Sequence, residues 1–451
     1  MSIKIDPYII SDKTIKEPPT NFFGKLAFLG PGFILSASIV GSGELIATTV
    51  LGAKAGFAAL WIILISCLAK VAVQLEFGKH AIITGETAMQ AFNKLPGLKF
   101  GKGRWIVWMI LVLATLKIVQ IGGILGGTAI VLNMLYSGFS IFTWTMIIAL
   151  VVSGLIFNGR YSWIEKFSLV MIAMFTILTI TSLISLKSTI YSFSFSDIME
   201  GIRFNLSGEI VGIAIGAFGI TGVASDEIIA YNYWCLEKGY AAYSGPRQET
   251  HEWKNRAQGW INIMYLDALV AMIIYTVVTV AFYLLGAAVL HNRGDIPQGT
   301  EVIETIALIY TQSLGPGVKN VYLVGAFFVL FSSLFASLAA WTRLFSDIFG
   351  QLGWINFFNI VQRNKVIAVL AWIFPITWAA AYLFIESPVL MVLSGGVVGS
   401  FMLFLVIFAS LHFKYTRTTA IKSSLLYNVA FWISIISIFS VGAYGIVKIL
   451  F

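Results

Sequence analysis

The run VYLVGAFFVLFSSLFASLAAW, residues 321–341, contains no charged side chain. About 20 apolar residues are enough to cross the hydrocarbon core of a bilayer as a helix. In lipid every backbone N–H and C=O must be paired within the protein, which leaves helices or closed barrels as spanning structures. The run lacks the apolar/polar alternation of a barrel strand, so it predicts a helix. Windows of this kind begin near residues 26, 56, 104, 141, 164, 207, 259, 320, 365, 388 and 426. The expected fold class is therefore all-α, a polytopic membrane protein with 11 transmembrane helices. Composition agrees: 58% of residues are hydrophobic and 11% charged, with a mean hydropathy of +0.89, whereas soluble domains carry about a quarter charged residues.

Lys and Arg in the connecting segments set the expected orientation, because they concentrate on the cytoplasmic side. With the N-terminus inside, 21 of the 29 Lys and Arg fall in inner segments, 6 in outer segments and 2 within spans. The sequence thus predicts a multi-pass protein of the cell membrane with a cytoplasmic N-terminus and a C-terminus outside. The net charge of +8 is explained as a topology signal, so nucleic acid is not an expected partner; the lipid bilayer is. Residues 1–20 show no compact apolar core followed by a cleavage site, and no signal peptide is expected. Cys67 and Cys235 form no CxxC pair, and His80, His251, His291 and His412 fall near span ends or in loops. No HExxH, GxSxG or P-loop pattern occurs, so neither an enzyme nor a cofactor is expected.

An internal repeat carries the functional reading. Residues 40–59, VGSGELIATTVLGAKAGFAA, align without a gap on residues 223–242, VASDEIIAYNYWCLEKGYAA, with 8 of 20 positions identical. The copies fall in spans 1 and 6. An odd number of spans per unit inverts the second copy, which gives a 5+5 inverted repeat with an extra eleventh span. The expected divisions are an N-terminal tail at 1–25, a first repeat at 26–206, a second repeat at 207–412, and a connecting loop with the last helix at 413–451. Inverted repeats with paired, Gly-interrupted helices point to a secondary transporter whose site lies where the broken helices meet. Gly41, Ser42 and Gly43 precede Glu44; Gly219, Thr221, Gly222, Ser225 and Asp226 precede Glu227. Breaks are expected near 41–44 and 219–226, with each glutamate in the first turn of a half-helix, where the dipole favours a carboxylate. Ser225 and Asp226 suit a cap for the second half-helix. Acidic residues in a first turn also occur for structural reasons. Lys70, Lys117 and Asp267, the other charges within spans, read as pairing or snorkelling residues.

The run GPGFILSASIVGSGELIATTVLGAKAGFAALW, residues 30–61, resembles the first span of the Nramp family of divalent metal transporters, and GGTAIVLNML, residues 126–135, is also similar to that family. The resemblance implies the inverted-repeat fold shared with amino-acid and amine transporters, with helices 1 and 6 discontinuous. At the site the chain departs from the family. Gly41, Ser42, Gly43 and Glu44 stand where the family has Asp-Pro-Gly-Asn. Ala224, Ser225 and Asp226, followed by Glu227, stand where it has Met-Pro-His, and Ile121 and Ile124 replace acidic residues used for proton movement.

Without the thioether and the imidazole, the candidate ligands Glu44, Asp226 and Glu227 are hard oxygens suited to Mg²⁺, Mn²⁺ or Ca²⁺. The expected function is alternating-access transport of a hard divalent cation, with Gly41, Ser42, Thr221, Ala224 and Ser225 completing the substrate site and the small residues Gly41 and Ala224 leaving room. The alternatives are transport of a small organic amine or amino acid, or a non-transporting sensor. A monomer is expected.

Overall fold

The computed structural model describes residues 6–41, 43–157, 161–204 and 207–450. Apart from a hairpin pairing Lys99–Phe100 with Gly103–Arg104, the described architecture is helical. At the first expected start, α1 (Pro31–Ile39) and α2 (Thr49–Ala55) are joined through a π-helical turn at Gly43–Thr48, and the halves are bent by 41°. There follow α3 (Leu60–Thr84), α4 (Trp105–Leu135), α5 (Ile141–Ile156) and α6 (Tyr161–Ser185). The second half of the chain begins with a further interrupted span, α7 (Val211–Ile220) and α8 (Ser225–Lys238), followed by α9 (His251–Leu285) and α10 (Val302–Leu314). It ends with α11 (Lys319–Leu352), α12 (Ile360–Ile385), α13 (Pro388–His412) and α14 (Leu425–Leu450).

Among the described residues, 8 helices are long and apolar enough to cross a membrane, or 9 when the bent pair is one span. A helix lies at each of the eleven expected starts. Of these, α5 falls short by length at 16 residues, whereas α6 runs for 25. Helix α10 was not among the expected starts; its 13 residues rise about 20 Å, too little to cross.

The two breaks sit at the centre of the bundle. Helix α4 packs on α11, α12 and α13, while α7 lies along α13 and α9 braces α1 and α3. Pro31 starts α1 at a position where its missing N–H is no loss. The next free donors are met from α9, where Asp267 Oδ1 accepts from Gly30 N at 2.7 Å and Oδ2 from Gly32 N at 2.6 Å. The Tyr231 hydroxyl, on α8, also donates to Asp267 Oδ2, at 3.2 Å. Asp267 is therefore a paired residue that caps the first broken helix with a side chain from the other half of the chain. The second break follows from Thr221, which leaves α7 in an extended conformation, and Gly222, at φ +63°. A side chain at Gly222 would also press on the backbone of Ser66 and Cys67, 2.8 Å from its Cβ position.

The N-terminal tail is tied down. Tyr8 donates to Glu237 Oε1 at 2.6 Å, Arg343 pairs with the same carboxylate, and Arg363 holds Asp6 at 2.8 Å. These contacts link the tail to α8, α11 and α12.

Asp267→Ala leaves the two buried backbone donors Gly30 N and Gly32 N unpaired, each worth roughly 1–3 kcal/mol, while the Tyr231 hydroxyl keeps only its longer contact to Met264 O. The expected result is a loss of about 3 kcal/mol or more in thermal unfolding of the purified protein, with Asp267→Asn intermediate because one oxygen is kept.

Candidate functional site

The two breaks are stitched to each other by the side chains that flank them. Glu44, fully buried in the first turn of the π-helical segment, accepts through Oε1 from Gly222 N at 3.2 Å and from Thr279 Oγ1 of α9 at 3.1 Å. The hydroxyls of Thr48 and Thr221 meet at 3.0 Å. The other carboxylate oxygen of Glu44 has no hydrogen-bond partner among the described residues. A π-helical turn widens the spiral, a distortion frequent at functional positions.

Glu227 occupies the first turn of α8, as expected, but the capping differs from the expectation. The N-cap is Ala224, which places Ser225 and Asp226 already inside the helix. Glu227 instead reaches back, and its Oε2 accepts from Ala224 N at 2.7 Å. Ser225 Oγ is buried without a partner among the described residues. Asp226 is an ion-pair residue: Oδ1 is held by Lys117 of α4, and Trp341 Nε1 of α11 approaches Oδ2 at 3.4 Å. Lys117 is fully buried and sits where the helical ladder of α4 is interrupted between Leu116 and Ile118. Lys70 is likewise buried at an interruption in α3 and donates to Ser66 Oγ and to the carbonyls of Phe218 and Thr221.

Between the breaks lies a cavity of about 20 Å³, room for one water-sized occupant. Its polar lining is Ser38, Gln120, Asp226, Glu227, Ser333 and Ser337. Ile121 and Ile124 form an apolar wall beside them, and Gly43, Ala224, Ile39 and Ile220 complete it. Gln120 Oε1 is buried and unpartnered among the described residues. Three of the expected site residues thus line the cavity: Ala224, Asp226 and Glu227. Glu44, Gly41, Thr221 and Ser225 do not line it, and Ser42 lies outside the described residues. The room expected at Gly41 is taken by the Ser333 side chain, which a Cβ there would overlap. Among the described residues no group of three His, Cys, Asp or Glu is arranged to hold a metal ion. Sequence reading missed Ser38, Gln120, Ser333 and Ser337. The available signal was their polarity within apolar runs, and two of them stand in the segment 321–341.

Comparison with known proteins bears on the family and the fold. Residues 32–448 match the Natural resistance-associated macrophage protein-like (Nramp) family. An uncharacterised protein of Pasteurella multocida is 24% identical over 343 residues, 74% of this chain and 73% of that one. A divalent metal cation transporter of Listeria welshimeri is 34% identical over 116 residues, which is 26% of this chain and a quarter (25%) of that transporter's length. The structure of a manganese transporter variant from Eremococcus coleocola superposes with a TM-score of 0.70 at 15% identity, covering 96% of this chain and 90% of that one. The match over nearly the whole chain, the shared fold and the paired broken helices lead to one conclusion: this protein is a divergent member of the Nramp-like family, a multi-pass membrane transporter and not an enzyme.

Proposed function

We propose that this chain is a secondary transporter of a hard divalent metal cation, Mg²⁺- or Mn²⁺-like, working by alternating access between the repeats at 26–206 and 207–412. The observation that carries this reading is the cavity. It is sized for a single small occupant, and its polar lining holds hydroxyl, carboxamide and carboxylate oxygens with neither sulfur nor imidazole. Oxygen-only donor sets favour Mg²⁺, Ca²⁺ and Mn²⁺ over softer metals. The cation carried by the Listeria and Eremococcus relatives belongs to the same charge class.

Charge balance supports the same assignment. Asp226 is already matched by Lys117, so Glu227 at the cavity and Glu44, which does not line it, are the carboxylates left for cargo. With the Lys70 ammonium counted, they leave one net negative charge at the breaks, which a bound cation offsets, and a buried charge is tolerated only when it is matched. Glu227 and the cavity oxygens are the direct ligands. Glu44 joins them through its free oxygen as the π-helical turn adjusts, and Asp226 is secondary. A small organic amine or an amino acid would need a cavity several times larger, and a non-transporting sensor would bind without flux.

Transport is driven by voltage. A divalent ion gains about 4.6 kcal/mol per 100 mV, from roughly 2.3 kcal/mol per elementary charge, and the cavity wall presents Ile121 and Ile124 rather than acids on α4. The protein acts as a monomer with its N-terminus in the cytoplasm and its C-terminus outside.

In proteoliposomes, Mn²⁺ or Mg²⁺ uptake is expected to rise with inside-negative potential and to respond weakly to an imposed pH gradient; uptake that follows the pH gradient at zero voltage would count against the mechanism. Glu44→Gln and Glu227→Gln are each expected to lower divalent flux roughly tenfold or more, because a buried charged ligand contributes several kcal/mol. Unimpaired flux in both would leave the glutamates a structural role, and flux only with amines or amino acids would replace the cargo assignment. Tags at the two termini are expected to be accessible from opposite sides of the membrane.

A further inference from the structure

The carbonyl end of α7 holds a cation that belongs to the chain itself. A half-helix that stops in the middle of a membrane presents main-chain carbonyls without partners and the negative end of its dipole. In transporters with broken helices such ends coordinate the small cations that drive the cycle. Here the position is filled by Lys70 of α3. Its Nζ donates to the carbonyls of Phe218 and Thr221, the latter at 2.8 Å, and to Ser66 Oγ at 3.0 Å. The Phe218 ring lies 4.5 Å away, face towards the nitrogen.

Hydrogen counting favours the ammonium form of the amine. The Ser66 hydroxyl hydrogen is committed to the same carbonyls, 2.6 Å from Thr221 O and 3.1 Å from Phe218 O. Ser66 Oγ must therefore accept from Lys70. Three acceptors then require three N–H donors, which an ammonium has and a neutral amine lacks. The shell of two carbonyls and a hydroxyl is an oxygen set of the kind that binds Na⁺ or a small ammonium ion.

The first broken helix is finished differently. The carbonyls at the end of α1 are met by neutral hydroxyls of α11: Ser332 Oγ lies 3.1 Å from Ala37 O, and Ser333 Oγ 2.7 Å from Ser38 O. Among the described residues, a fixed positive charge is supplied at one break and not the other. It acts at the break that Glu44 also touches, because the Thr221–Gly222 peptide offers its oxygen to Lys70 and its N–H to Glu44.

We propose that Lys70 is a tethered cation occupying a monovalent-cation site between α3 and the carbonyl end of α7, so that the second broken helix keeps its shape, and transport proceeds, without a free monovalent ion. Removing the ammonium while leaving space should turn the position into a site for Na⁺ or methylammonium. This inference concerns the scaffold of the break and does not depend on which cargo the central cavity carries.

The test is the melting temperature of purified protein, free of divalent ions, in choline chloride, sodium chloride and methylammonium chloride at equal ionic strength. Wild-type protein is expected to melt at the same temperature in all three. Lys70→Ala should melt several degrees lower in choline and recover at least half of that loss in sodium or methylammonium. Lys70→Met, whose thioether fills the space without a charge, should melt lower and recover in neither. A Lys70→Ala protein as stable as wild type in choline, or one whose loss is the same in every salt, would overturn the proposal. If Lys70→Ala does not fold, the wild type decides. Melting and flux that are unchanged when choline replaces sodium support the tethered cation, and a sodium requirement in the wild type overturns it.

Discussion

The peptide unit between Thr221 and Gly222 is where the charges of this protein meet. Its carbonyl accepts from Lys70 and its N–H donates to Glu44, so a cation on one side and a carboxylate on the other polarise the same amide in the same sense. The arrangement requires the chain to leave α7 in extended form and turn through the left-handed region at Gly222. It also requires α3, α7 and the π-helical segment to converge within hydrogen-bond distance of one amide. The Thr48–Thr221 contact and the Thr279 contact to Glu44 fix the surrounding geometry. A buried, half-satisfied network of this kind is costly unless every charge has a counterpart, and among the described residues one oxygen of Glu44 has no hydrogen-bond partner.

Around that amide the chain distributes three carboxylates and two ammonium groups. The Lys117–Asp226 pair takes one of each, and the Trp341 indole covers the remaining Asp226 oxygen. Trp341 is itself fixed by edge contacts to Phe374 and Trp378, so the pair is held by packing as well as by charge. Glu227 divides its carboxylate between the start of α8 and the cavity. On the proposed function, the residue that shapes the second half-helix is also the one placed to feel an occupant, which would link cargo binding mechanically to the break. A divergent family member can change its donor set in this way without changing its fold, because the half-helix ends are satisfied by Asp267, Lys70 and the α11 hydroxyls whatever the cavity holds.

How much of this was legible in the sequence differs from one feature to the next. Apolar length located a helix at every expected start, because burial in lipid acts on composition alone. Short spans such as α5 blurred the count. Glycine and the repeat located both breaks, since loss of helix propensity is local. The cap of α8 lies just before the expected residues: Ser225 and Asp226 are good N-cap types, but the N-cap is Ala224 and tertiary contacts take Asp226 to Lys117, 109 residues away. No local rule reports such a pairing. Gln120, Ser38, Ser333 and Ser337 were missed for the same reason, because a lone hydroxyl or amide in an apolar run acquires meaning only when other helices bring it to a shared cavity. The apparent space at Gly41 was likewise filled from α11, by Ser333.

The oxygen-only character of the cavity is the claim on which the functional account turns, and pulsed electron paramagnetic resonance of Mn²⁺ added to the purified protein reads it directly. A bound Mn²⁺ signal is expected with modulation from exchangeable hydroxyl protons and none from directly coordinated nitrogen, and that signal is expected to be lost in Glu227→Gln. A nitrogen coupling from a protein ligand, or Mn²⁺ that remains entirely free at concentrations where the relatives' cargo would bind, would contradict that claim.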